Sequence, residues 1–239
     1  MPFTLTRRGC GGVSEPPFDT LNLATHVGDD PSAVAANRAE LTDALRSLGV
    51  RRLVWMRQVH GDRVAVVDHG GLDADTDDRG DAVIAGVDAL VTTDRGLGLV
   101  VQVADCVPVV LRDETAGVVA VAHAGRRGVA NGIVGRALST MRQLGAAKVV
   151  AHLGPSICGS CYEVPADLQA EVERQAPGSA TSTRVGTPGL DLAGALVRQL
   201  ECDGVVVDRD PRCTMEDPEL FSYRRDATTG RFAAVAWRE

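Results

Sequence analysis

The sequence predicts one domain of mixed α and β structure, with strands and helices interleaving without a regular βαβ period. Three observations predict it. Short Val-rich apolar runs at 97–103, 107–111 and 118–122 have the length and composition of buried strands. The turn DETAG, ending at Gly117, separates the second run from the third and predicts an antiparallel hairpin. Amphipathic helical patterns lie outside these runs, and no internal repeat or composition shift divides the 239 residues into two units.

Taken in order, residues 2–6 predict an opening strand, followed by the Gly-rich turn RRGCGGVS and an irregular segment carrying Asn22 and His26. Asp29 and Asp30 before Pro31 predict a helix start, with Val34, Leu41, Leu45 and Leu48 facing the core and Gly49 as the stop. Residues 53–56 and 64–67 predict strands on either side of RQVHGDR, which carries His60. The Asp-rich stretch 68–81 predicts a solvated loop and is the candidate lid. After AGRRG, one helix is expected, with Val129, Ala130, Ile133, Val134, Ala137, Leu138 and Met141 on one side and Gly145 ending it. A strand at 149–153 runs into GPSICGSCYEVP, and Pro165 opens a short helix to about Gln175. Residues 176–189 read as a flexible loop, and Asp191 caps a helix carrying Leu192, Leu196, Val197 and Leu200. Strands at 205–207 and 232–237 flank the irregular stretch 211–220 and the string FSYRRD.

Composition narrows the function. A net charge of −7 and a pI near 5.3 argue against a duplex nucleic-acid binder, whose footprint is basic. No run of 18 apolar residues exists, so no membrane partner is expected, and without a secretory h-region the expected compartment is cytoplasmic. In that compartment the six Cys read as thiols or metal ligands rather than disulfides. With two Trp, two Tyr and four Phe, the core falls to Leu, Val and Ala. The expected assembly is a monomer or weak homodimer.

Polar residues interrupt the apolar pattern where strands end. His60, Cys106 and His123 each fall in or beside such a junction, where side chains distant in sequence can meet on one rim. Two imidazoles and a thiolate suit zinc with an open fourth position, although a lone Cys or His is more often a packed core side chain. Arg126 and Arg127, between Gly125 and Gly128 at a helix start, suit either an anion or a solvated basic loop, and Arg224 and Arg225 could add positive charge. Cys158 and Cys161 have CxxC spacing, but a structural zinc would need a second close pair, and Cys202 and Cys213 are too far apart in sequence to supply one.

The strings RQVHG, DALVTTDRGLGLVVQVADCVPVVL, VAHAGRRG, LGPSICGSCYEV and SYRRD, with an early GGVS and LNL, resemble the YfiH-type family from about Thr4 to Trp237. Its members are called multicopper polyphenol oxidase (laccase) domain, peptidoglycan editing factor and purine nucleoside phosphorylase. The resemblance implies an α+β fold, a layered sandwich with mixed sheets. It also implies a zinc site made by the His of QVHG, the Cys of ADCVP and the His of AHAG, which are His60, Cys106 and His123. This chain departs from the family in having Arg126 where HAGWRG has Trp, and in one extra residue before GGVS, which bears on Arg7 and Arg8.

The family names imply different chemistries. A multicopper oxidase needs a His₂Cys copper site plus a cluster held by many more imidazoles, and five His without a His-x-His motif cannot build it. Copper can still occupy the single His₂Cys site in place of zinc. Phosphorolysis of adenosine, inosine and methylthioadenosine, with adenosine deamination alongside, calls for a small-molecule site that takes a purine nucleoside and phosphate. Asp105, beside Cys106, is then either the proton-shuttling carboxylate or the partner that orients a His ligand. Peptidoglycan editing would instead be amide hydrolysis, with Cys106 a metal ligand or a nucleophile paired with His123.

Overall fold

Valine-rich strands buried on both faces build two sheets stacked on one another, with helices on the two outer surfaces. The structure, a computed structural model, describes residues 1–70, 76 and 82–239, so most of the stretch expected to act as a lid lies outside the described residues. The amino-terminal half comprises β1 (Phe3–Leu5), α1 (Pro31–Arg46), β2 (Arg52–Arg57), β3 (Val64–Val66), β4 (Ala82–Ala85), β5 (Ala89–Thr92) and β6 (Leu97–Val103). The centre holds β7 (Val107–Asp113), β8 (Val118–Ala124), α2 (Arg126–Ala130), α3 (Ile133–Gln143) and β9 (Val150–Leu153). Then come α4 (Ala166–Gln175), β10 (Ala180–Ser182), β11 (Pro188–Leu190), α5 (Leu192–Cys202), β12 (Val206–Arg209), α6 (Tyr223–Asp226) and β13 (Phe232–Trp237).

One sheet has the order β1-β13-β6-β2-β4 and the other β12-β9-β7-β8-β5-β3. Both are mixed: β2 pairs in parallel with β4 and β6, and β12 with β9, whereas β7 pairs antiparallel with β8 in the expected hairpin. Because side chains alternate along a strand, each sheet divides its residues between two cores. Val109, Leu111, Ala120 and Ala122 face α3 and α5, and Val110, Val119 and Val121 face the other sheet. On the far side, Trp55, Val100, Val235 and Trp237 pack with Leu41 and Leu45 of α1. The result is the α+β layered sandwich of mixed sheets that the resemblance implies, in the order helix, sheet, sheet, helix.

Helix boundaries follow local chemistry. Asp30 caps α1 by accepting the Ser32 N–H at 2.8 Å, and Pro31 takes the first position. Leu48 departs from expectation: the helix ends at Arg46, and Leu48 is 52% exposed beyond it. The helix expected after AGRRG is two helices, because Asn131 closes α2 and Gly132 reverses the chain at φ +78 before α3 begins. Ala130 falls at that break and is only half-buried. Residues 176–189 are not a plain loop, since β10 and β11 pair antiparallel within them. Among the described residues no helix is long and apolar enough to cross a membrane.

Leu99 is fully buried between the sheets. Leu99→Ala is therefore expected to cost about 2–5 kcal/mol in denaturant unfolding, while Leu48→Ala stays within about 0.5 kcal/mol of wild type.

Candidate functional site

The alternation that builds the inter-sheet core also aims three polar residues at its rim. Asp88 precedes β5, Cys106 precedes β7 and His123 lies next to the end of β8, each in phase with residues of the inter-sheet face. β8 and the start of β5 are joined there by the His123 N–H, which donates to the Asp88 carbonyl at 2.7 Å. The Asp88 side chain is fully buried. It accepts the N–H groups of His60 at 2.9 Å, Gly61 at 2.7 Å and Val59 at 3.2 Å, and faces His123 Nδ1 at 2.8 Å. One carboxylate thus fixes the turn after β2, where His60 sits at φ 58, and the ring of His123.

His60, Cys106 and His123 come together as expected, with their ligand atoms all within 4.8 Å of one another. Cys106 Sγ lies 3.9 Å from His60 Nε2, and the two imidazoles meet edge to face with centroids 4.6 Å apart. Gly125 is part of the arrangement: a Cβ there would lie 2.9 Å from His60 Cδ2 and 3.0 Å from Cys106 Sγ. That close approach explains the Gly of AGRRG. Burial by itself would raise the Cys106 thiol, but His123 and His60 overcome it and bring the thiol down to about 6. Burial would likewise lower His123, but the Cys106 sulfur and the Asp88 carboxylate raise it to about 9. Asp88 is held below the usual carboxylate range, since the His123, Gly61 and Val59 donors outweigh its desolvation.

The donor set fits zinc. A thiolate and two imidazole nitrogens converge, and Asp88 at Nδ1 of His123 leaves Nε2 as the free ring nitrogen. The carboxylate orienting a His is therefore Asp88, and the alternative that gave this task to Asp105 is corrected. Asp105, at φ 85, uses its carboxylate to accept from the Thr214 hydroxyl at 2.6 Å and the Arg224 N–H at 2.7 Å.

His60, Cys106 and His123 open into a cavity of about 600 Å³, whose walls include Asp105, Arg126, Arg224, Arg231, Tyr162 and His26. Arg126 therefore brings a cation where related motifs have Trp, and Arg224 stacks over Tyr162 at 5.1 Å. Two expected arginines fall elsewhere. Arg127 is exposed and outside the cavity, because its neighbour on the same short helix takes the inward direction. Arg225 is spent on structure: its guanidinium donates to the carbonyls of Thr214, Asp217 and Leu220 and pairs with Asp226. Arg7 and Arg8 lie apart from this cavity, paired with Glu219 and Asp19. Sequence reasoning missed Asp88, His26, Tyr162 and Arg231. Asp88 stands directly before the apolar run ALVT and Arg231 before the last strand, so the strand-end signal that marked Cys106 was present for both.

Comparison with known proteins agrees with this architecture. A family model described as multi-copper polyphenol oxidoreductase laccase matches residues 2–239. A Mycobacterium tuberculosis protein named purine nucleoside phosphorylase is 52% identical over 98% of this chain and 91% of its own length. A Streptomyces coelicolor protein of the same name is 51% identical over 95% of this chain and 91% of its own. Among solved structures, Bacillus licheniformis YfiH superposes with a TM-score of 0.87 at 29% identity, over 98% of this chain and 91% of that one. Geobacillus stearothermophilus YlmD superposes with a TM-score of 0.84 at 35% identity and the same two coverages.

Asp88→Asn keeps the shape of the side chain, removes its charge and turns one accepting oxygen into a donor. In the metal-free protein the His123 pKa is expected to fall from about 9 toward the ordinary imidazole value near 6.5, read by NMR titration of the ring. A value still near 9 would assign the shift to Cys106 alone.

Proposed function

The chain belongs to the multi-copper polyphenol oxidoreductase laccase family, and from that premise we propose that it is a zinc-dependent purine nucleoside phosphorylase acting on adenosine, inosine and methylthioadenosine, with adenosine deamination as a companion activity. One observation carries this reading: the His60–Cys106–His123 group and three guanidinium groups line one cavity of a size that suits a nucleoside. In phosphorolysis a phosphate oxygen bonds to C1′ of the ribose as the bond from C1′ to N9 breaks, and the departing base takes up a proton. Arg126 and Arg224 hold the phosphate, forked donors against its oxygens, with Arg224 stacked over the Tyr162 ring. Asp105 relays to the base the proton that the phosphate gives up as its oxygen bonds to C1′, since Thr214 and Arg224 occupy only part of its accepting capacity. Zinc held by His60, Cys106 and His123 supplies Lewis acidity at that wall. Copper can bind the same three residues, but an oxidase would need more imidazoles than the fold offers. His69 is engaged with the Arg95 carbonyl and His152 with Asp208, and among the described residues neither joins a group of potential ligands.

Incubation with inosine and phosphate, resolved by chromatography, tests the reading. Hypoxanthine and ribose 1-phosphate are expected, their release requires phosphate, and it falls at least about a hundredfold in a folded Cys106→Ala or His123→Ala protein. Phosphate-independent release, or undiminished turnover in both variants, would overturn it. Arg224→Ala is expected to raise the apparent KM for phosphate at least about tenfold with a smaller change for inosine, whereas Arg127→Ala stays within about twofold on both.

The two shifted groups give zinc binding a signed pH dependence. Between about 6 and about 9 Cys106 is already a thiolate while His123 still carries its proton, so each ion displaces one proton. Affinity in a chelator-competition titration is expected to rise about tenfold per pH unit across that interval and to level off above it. A flat profile between pH 6.5 and 8.5 would contradict the ion-paired state.

A further inference from the structure

Cys158, Cys161, Cys213 and Glu216 form a second group whose ligand atoms all lie within 4.8 Å of one another. The sequence set Cys213 aside as too distant from the CxxC pair; the fold brings it there across 52 residues, in line with Ser156 through an isolated parallel bridge. The Thr214 N–H donates to the Ser156 carbonyl at 3.1 Å and holds the two segments side by side. Each segment then makes the same tight turn. The N–H groups of Cys161 and Tyr162 donate to the Cys158 carbonyl at 3.0 Å, and those of Glu216 and Asp217 to the Cys213 carbonyl at 3.0 and 2.9 Å. The two turns present their first and fourth side chains to a common point, as C-x-x-C and C-x-x-E. Across the gap the Cys158 N–H donates to Cys213 Sγ at 3.3 Å, an arrangement that favours a thiolate there, and Cys161 Sγ lies 3.3 Å from Glu216 Oε1.

We propose that these four residues are a structural zinc site, separate from the His60–Cys106–His123 group. Three sulfurs and a carboxylate oxygen are a four-ligand set for a closed tetrahedral zinc centre, with ligands about 3.8 Å apart when each is about 2.3 Å from the ion. The observed spacing brackets that value, from 3.3 Å between Cys161 Sγ and Glu216 Oε1 to the 4.8 Å limit of the group. Three thiolates and a carboxylate carry more charge than a divalent cation cancels, and Arg184, paired with Glu216, offsets part of the remainder. Cys213 is buried, Cys158 and Cys161 are half-buried and Glu216 is exposed, so an ion can enter from the Glu216 side. The zinc ties down a wall of the cavity. One turn carries Tyr162, with Ile157 just ahead of it, and both line the cavity; the other carries Thr214, which holds the Asp105 carboxylate.

The test is zinc stoichiometry in the full chain purified under reducing conditions. Wild type is expected to hold about two equivalents, and Cys213→Ser and His123→Ala about one each, from different sites. With cobalt substituted for zinc, Cys213→Ser should remove the larger part of the thiolate-to-metal absorption and Cys106→Ala the smaller, following three thiolates against one. Cys213→Ser holding as much zinc as wild type would overturn the proposal. If the variant does not fold, the wild-type protein decides: iodoacetamide should label Cys158, Cys161 and Cys213 only after a chelator is added, with a fall in melting temperature on zinc removal. Labelling that is indifferent to the chelator, or a disulfide among the three in the reduced preparation, would overturn it as well. Because the measurement is of metal and not of turnover, it stands or falls independently of the nucleoside reading.

Discussion

A single buried carboxylate holds the candidate site together. Asp88 has no exposed surface, and a charge in that position is tolerated only when its oxygens are fully engaged. Here they accept three successive backbone N–H groups from the turn at 59–61 and meet the imidazole of His123. The two His of the site, 63 positions apart in the chain, are thereby positioned on one atom group. The same contacts stabilise His60 in a left-handed backbone conformation that a non-glycine residue rarely adopts, at a cost of about 1–3 kcal/mol. The arrangement couples chemistry to folding: the ring nitrogen that Asp88 does not use is the one directed toward Cys106.

Everything around that carboxylate is rigid for an ordinary reason. The strands that follow Asp88 and Cys106 and the one that carries His123 are buried on both faces, one by the helices and one by the opposing sheet. A side chain at the end of such a strand inherits the fixed direction of the strand but emerges from the apolar layer into the cavity. Asp105 repeats the pattern. Its left-handed backbone is secured by the Ile157 N–H to its carbonyl and by Thr214 and Arg224 at its carboxylate, so three separate segments meet on one residue. The turns bearing Cys158 and Cys213 lie directly behind two of those segments, and order at one cluster supports order at the other.

Charge is distributed by the same geometry. Neighbouring residues on a helix point about 100° apart, so Arg126 and Arg127 leave α2 in different directions. The short α2, begun at Gly125 and closed at Asn131, gives the inward direction to Arg126. Arg224 and Arg225 separate in the same way: one stacks on Tyr162, and the other donates to three carbonyls of the preceding loop. In each pair one arginine lines the cavity and its neighbour belongs to solvent or to the scaffold.

The sequence by itself determined the strands that are continuous apolar runs. Leu97–Val103 and Phe232–Trp237 form residue for residue as expected, because a segment apolar on both faces and too short for a buried helix fits a sheet interior. It also determined the metal-ligand candidates, since His60, Cys106 and His123 each interrupt an apolar pattern where a strand ends. It did not single out Asp88 among many acidic residues, distinguish Arg126 from Arg127, or join Cys213 to Cys158 and Cys161. Those were decided by the tertiary structure. Periodicity and spacing describe neighbours along the chain, whereas the desolvation that makes one carboxylate an organiser, and the proximity that makes distant thiols a cluster, depend on which segments pack across them.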